Sequence, residues 1–222
     1  MPKVGVILSG CGVFDGSEVH EAVITLLCLA QAGAEYRCMA PAMDADEVDH
    51  ITKKTTGRKR SVLVESARIA RGEIDDLAKV NVSDFDAFVL PGGFGAAKNL
   101  CTFASDGAAA KTHPQVERVL REANQAGKPI GLACIAPAVG AAVFGKSLHP
   151  RLTIGHDKGT AQGLEGLGAR HVECAVEHAI VDEQHALIST PAYMEAKCIT
   201  QVYAGIREMV ASVLDRVGSA TA

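Results

Sequence analysis

Tryptophan is absent from this chain, and 222 residues carry only 6 Phe and 3 Tyr. The core must then be assembled from Ala, Val, Leu and Ile, a composition that suits the buried parallel strands of an α/β fold. Positive charge is not in excess either. The 22 Lys and Arg face 26 Asp and Glu, a net charge of −4, which leaves no electrostatic footprint for nucleic acid or an anionic membrane. No apolar run reaches the roughly 18 residues of a membrane helix. The strand-like KVGVILSG at 3–10 is too short and too early to be a signal peptide. Signatures of bound nucleotides are missing as well. No GKS or GKT follows a glycine-rich turn, and SGCG at 9–12 is not GxGxxG.

Cysteine is present, but not in the patterns that give it a structural job. The seven cysteines, at 11, 28, 38, 101, 134, 174 and 198, include no CxxC pair and no zinc-ligand spacing. An odd count in a chain of this length argues against a disulfide framework. It favours a reducing compartment, with the cytoplasm as the expectation.

What is there reads as alternating strands and helices. KVGVIL (3–8) is a buried strand. Residues 17–33 have helical spacing with Ser17 at the N-cap and Gly33 at the end, and AEYRCMA (34–40) is the next strand. This βαβ start implies a parallel sheet. DAFVLPGG (86–93) is a strand running into a glycine-rich turn. An amphipathic helix over 113–127, a strand over 128–134 and a short helix over 135–145 follow. RLTIG (151–155), HVECAV, AIVD and ALIST read as short strands, GTAQGLEGLG as a short helix, and 193–217 as a long closing helix. The stretch 41–80 stands apart. Acidic residues, the basic KKTTGRKR (53–60) and one helical segment make it a surface insertion. It either packs only through its helix or covers a site or partner surface. With no linker in sight, one α/β domain over 1–222 is expected.

In open parallel sheets, ligands gather at the carboxyl ends of the strands. Three segments fall there: SGCGVFDGSEVHE after the first strand, PGGFG after DAFVL, and Cys134 after KPIGLA. Cys134 is either a small buried hydrophobe or a nucleophile held on a strand-to-helix turn, where the helix N-terminus favours the thiolate. Glu18 and Glu21 share a helix face. Glu18 fits a dipole-stabilising role. Glu21, further along and on the stripe of Ile24 and Cys28, fits a buried carboxyl of raised pKa. The adjacent glycines of PGGFG present backbone N–H groups that suit an oxyanion. His156 follows a strand and is placed to approach Cys134. His171 and Glu173, an H-x-E pattern, read as outward positions of an edge strand.

Together, Glu21, LPGGFGAAKNL (90–100) and ACIAP (133–137) resemble the class I glutamine amidotransferase-like superfamily, in the branch that holds the parkinsonism-associated deglycase. GVILSGCGVFDGSEVHEA (5–22), ESARIARGEI (65–74), CIAPA (134–138) and TPAYM (190–194) match more closely still the enhancing-lycopene-biosynthesis, or sigma cross-reacting, branch, described in bacteria as glyoxalases. The resemblance covers nearly the whole chain. It implies a flavodoxin-like three-layer sandwich with a mostly parallel central sheet, a homodimer, and no metal or organic cofactor. By it, Cys134 is the nucleophile and Glu21 the carboxyl bonded to it. Gly92, Gly93 and Ile135 supply oxyanion-binding N–H groups, and His156 lies where related deglycases place a histidine. The implied activity is conversion of glyoxal or methylglyoxal to glycolate or lactate. A peroxide-sensing thiol and an amidotransferase-like subunit linked to isoprenoid biosynthesis are the alternatives. The last needs the late histidine of a Cys-His-Glu triad, and STPAYMEA (189–196) has none.

Overall fold

A computed structural model of the chain describes residues 1–219. The opening unit is β1 (Lys3–Ile7), α1 (Val19–Gln31) and β2 (Glu35–Ala40), with β1 and β2 parallel from Lys3↔Glu35 to Ile7↔Met39. The cap of α1 differs from the expectation. Glu18 is the N-cap and accepts the Glu21 N–H, while the Ser17 hydroxyl turns inward to accept the Ser9 N–H at 2.9 Å. Gly33 ends the helix in left-handed geometry, φ +73°, where glycine has no Cβ to clash.

The insertion is a hairpin followed by a helix: β3 (Asp44–Val48), β4 (Thr55–Ser61) and α2 (Val62–Ile69). The charge run is therefore a strand. Its basic side chains reach the acidic ones across and beside the ladder: Lys59 to Asp46 at 2.8 Å, Arg58 to Glu47 at 2.8 Å, and Arg60 to Asp15 and Glu65 at 2.6 and 2.8 Å. Opposite charges facing each other across a pair of strands stabilise the pairing.

The chain then runs through β5 (Ile74–Asp76), β6 (Ala87–Leu90), a π-helical turn at Ala96–Leu100, α3 (Phe103–Asp106), α4 (Pro114–Gln125), β7 (Ile130–Ala133) and α5 (Pro137–Leu148). It closes with β8 (Arg151–Leu152), α6 (Lys158–Gly166), β9 (Arg170–His171), β10 (Ile180–Asp182), β11 (Leu187–Thr190) and α7 (Ile199–Ser219). Seven strands form the central sheet in the order β10-β11-β7-β6-β1-β2-β5, with only the β10–β11 pair antiparallel. Alternation along the strands divides the core. Val4, Val6, Ala87 and Val89 face α1 and α7, while Ile7, Phe88 and Leu90 face α4 and α5. The architecture is the α/β three-layer sandwich, flavodoxin-like, with a mostly parallel central sheet.

Two expectations are corrected. Of HVECAV only His171 lies in a strand, as the end of β9, which pairs with the two-residue β8. The closing helix begins at Ile199 rather than at 193, because Ala192–Met194 form a 3-10 turn with Ala192 at φ +43°. Among the described residues, no helix is long and apolar enough to cross a membrane.

Candidate active site

Four loops converge at the carboxyl ends of β1, β6, β7 and β11. Strand β7 stops at Ala133 because the next residue leaves the strand region. Cys134 sits at φ +58°, a left-handed conformation that a side-chain-bearing residue holds only when its surroundings enforce it. Its N–H donates to the Thr190 carbonyl at 2.9 Å, and the Ala136 N–H closes back onto the Ala133 carbonyl at 2.9 Å. Pro137 then opens α5, where its missing N–H costs no bond. This sharp turn leaves the Ile135 N–H free to point at the Cys134 sulfur, and the Gly93 N–H points there too.

Glu21 lies in the first turn of α1 with its side chain wholly buried. Its Oε2 accepts the Gly92 N–H at 3.0 Å, and its Oε1 accepts the Tyr193 N–H at 3.0 Å. The carboxyl also hydrogen-bonds the Cys134 side chain. Burial pushes the Glu21 carboxyl up to about 7. The Tyr193 N–H opposes the shift, and the charge of Glu18 adds to it. Cys134 is 7% exposed. Burial first, and then the negative charge of Glu21, push its thiol well above the ordinary range, against the pull of the Gly93 and Ile135 N–H groups. The helix N-terminus alone therefore does not ionise the sulfur. With Glu21 at about 7, the Cys134–Glu21 pair keeps a single proton only above that value, and the thiolate forms most readily when the carboxyl takes it.

The close approach explains PGG. A Cβ on Gly92 would overlap the Cys134 Cβ and lie 2.6 Å from Glu21 Oε2. Gly93 has φ +94°, and a Cβ there would overlap the Glu18 backbone nitrogen. The Gly92 N–H is spent on Glu21, so of the three expected oxyanion donors only Gly93 and Ile135 face the sulfur.

Above the pair opens a cleft of about 380 Å³. Val13, Phe94, Ile135 and Met194 form its apolar wall. Glu18, Asp157, Thr160 and Tyr193 form its polar one. Asp157 caps α6 by accepting the Thr160 N–H at 2.7 Å, and Thr160 holds its carboxyl below the usual range. The Tyr193 hydroxyl pairs with His20 Nδ1 at 2.8 Å.

The insertion braces this cleft from behind. Asp15, in the loop that carries Val13, accepts the Val48 N–H at 2.7 Å as well as the Arg60 bond, and Ser66 Oγ accepts the Gly10 N–H at 2.8 Å. Asn99 ties the same loop down by donating to the carbonyls of Ser9 and Asp15.

The structure brings together Cys134, Glu21, Gly92, Gly93 and Ile135. It does not bring His156 to them. That ring is half exposed and pairs through Nδ1 with Glu195 at 3.2 Å, and its backbone N–H bonds the same carboxyl. His171 accepts the Ile154 N–H instead of facing the cleft. Sequence reasoning missed Tyr193 and Asp157. Asp157 is visible as a cap three residues before Thr160. Tyr193 is visible only by its place just past the end of β11. Among the described residues, no group of three His, Cys, Asp or Glu side chains is arranged to hold a metal ion.

No family model matches the chain. It is 45% identical over 227 residues to the human glutamine amidotransferase-like class 1 domain-containing protein 3, mitochondrial, covering 97% of this chain and 84% of that protein. The rat ES1 protein homolog, mitochondrial, is 44% identical with the same coverage. A solved isoprenoid biosynthesis protein with an amidotransferase-like domain from Ehrlichia chaffeensis superposes with a TM-score of 0.92 at 37% identity, over 97% of this chain and 99% of that one. The fold alone extends to Drosophila melanogaster DJ-1beta, with a TM-score of 0.59 at 18% identity, over 99% of this chain and 95% of that one. With relatives this similar over nearly its whole length, the chain belongs to the ES1 branch of the glutamine amidotransferase-like class 1 family.

Proposed function

We propose that the chain is a cofactor-independent glyoxalase that converts glyoxal or methylglyoxal to glycolate or lactate. The observation that carries the reading is the buried Glu21 carboxyl, pushed up to about 7 and bonded to a cysteine that two further N–H groups face. A carboxyl of that pKa can take and return a proton at neutral pH. Glu21 receives the thiol proton as Cys134 adds to the aldehyde carbon. Glu21 hands that proton to the new alkoxide, which faces the Gly93 and Ile135 N–H groups, giving a hemithioacetal and leaving the carboxylate free as base. Glu21 then removes the hydrogen on that carbon and returns a proton to the neighbouring carbonyl carbon through an enediol. The result is a 2-hydroxy thioester. Water hydrolyses it, releasing the 2-hydroxy acid and restoring the thiol, so the net change is addition of one water.

A glutaminase subunit is less well supported, since no histidine among the described residues bonds Cys134 or Glu21. A link to isoprenoid biosynthesis rests on the Ehrlichia protein's name. The reading places the chain in a reducing compartment: the cytoplasm or, as the mammalian relatives' names have it for those proteins, the mitochondrion. A homodimer is the expected assembly. Val19, Val23 and Leu27, exposed four residues apart on α1, are an apolar stripe suited to it.

The direct test is aldehyde consumption without glutathione, with the hydroxy acid measured as product. Cys134→Ala is expected to abolish it. Turnover by that variant at the wild-type rate would end the proposal.

A further inference from the structure

The approach to Cys134 runs between charges of one sign. Glu18 and Asp157 both line the cleft, and among the described residues no lysine, arginine or histidine lines it with them. Each is held by helix capping rather than by a cation. Glu18 Oε2 accepts the Glu21 N–H at 2.7 Å, and Asp157 Oδ1 accepts the Thr160 N–H. Among the described residues, neither forms an ion pair. The remaining walls are largely apolar, and apolar walls carry a field further than water does.

Resting on Cys134 as the reacting group, we propose that Glu18 and Asp157 make the cleft a charge filter. It admits uncharged and cationic carbonyl compounds to the sulfur and turns away those bearing a carboxylate or phosphate. The filter matches the chemistry in both directions. The oxoaldehyde enters neutral, and the 2-hydroxy acid leaves as an anion, so the field that rejects anionic substrates also expels the product.

The test reads the filter without relying on turnover. Methanethiosulfonates react with a thiolate to give a mixed disulfide and methanesulfinate, and they exist with a trimethylammonium or a sulfonate tail. Labelling of Cys134 by each reagent is followed by peptide mass spectrometry. Glu18→Gln with Asp157→Asn keeps both capping oxygens and removes both charges. The ratio of cationic to anionic labelling rates is expected to fall roughly tenfold in the double variant. It is expected to fall in the wild type as ionic strength rises. Each single variant gives part of the effect, so the salt series and the singles serve if the double variant does not fold. A ratio unchanged by either substitution and by salt overturns the filter. Methylglyoxal turnover is measured on the same preparations. Its absence in wild type with the labelling ratio as expected sinks the glyoxalase reading alone, and turnover with an unaltered ratio sinks the filter alone.

Discussion

Glu21→Gln separates the proton-sharing account from a merely structural carboxyl, because the two give different dependence of stability on pH. In the wild type, the folded chain holds the Glu21 proton up to about 7, against 4.5 for an ordinary glutamate, the value taken for the unfolded chain. Between those values the folded state binds more protons than the unfolded one. Glu21 therefore contributes its full stability below the lower value and loses it as pH rises through the upper one. The shift between the two values corresponds to about 3 kcal/mol at about 1.4 kcal/mol per pH unit. Glutamine does not titrate. It also leaves one of the Gly92 and Tyr193 N–H groups facing an NH2 donor instead of an acceptor oxygen, a pH-independent penalty of about 1–3 kcal/mol. The height of the variant's stability curve is therefore uninformative and its slope decides. Urea denaturation from about pH 4.5 to about pH 8, at fixed protein concentration, should show the wild type losing about 3 kcal/mol relative to the variant. Carboxylates held low by their partners, such as Asp75 beside Arg37, are common to both proteins and cancel. Parallel curves would mean that Glu21 titrates as it does in the unfolded chain, and its role as base would fall with them.

The same carboxyl sets the rate profile. kcat/KM for methylglyoxal should rise about tenfold per pH unit below about 7 and level off above it, because the doubly protonated Cys134–Glu21 pair has no base; a flat profile through neutrality refutes this. Gly92→Ala should cost about 1–3 kcal/mol of stability in a denaturant melt by overpacking, and should abolish turnover by parting Cys134 from Glu21; a normally active Gly92→Ala contradicts the packing. Cys134→Gly should be more stable than Cys134→Ala by about 1 kcal/mol, since the left-handed turn is strained only when a Cβ is present; equal melting points of the two refute the strain. Arg60→Met strands the buried Asp15 carboxylate. It should destabilise the fold by about 2 kcal/mol, less than a fully buried pair because Arg60 is partly exposed, and a variant as stable as wild type would show the bridge to be idle.

The parts of the fold legible in the sequence are those where burial alone decides. β1, β6 and β7 are short apolar runs because helices cover both faces of the sheet, and α4 shows its stripe at Val116, Val119, Leu120 and Ala123. The hairpin was illegible for the opposite reason. β4 reads as a solvated charge run until Asp46, Glu47 and Asp15 are known to face it. The start of α7 was misplaced because the turn at 192–194 is held by the Tyr193 bond to Glu21, 172 positions away in the chain. At the site, Cys134 and Glu21 were readable from strand-end position and helix stripe. His156 was not excluded by any local signal, because only the fold shows that Glu195 takes it. Tyr193 acts on Glu21 through a backbone N–H, which no side-chain motif can announce.

That backbone grip has an evolutionary corollary. The acid is clamped by main-chain groups of residues 92 and 193, and amides are supplied by every amino acid except proline. The aromatic ring at 193 can therefore be exchanged, reshaping one side of the entrance, while the proton-handling machinery keeps its alignment. Descendants of such a scaffold are free to drift in what they accept long before they drift in how they react.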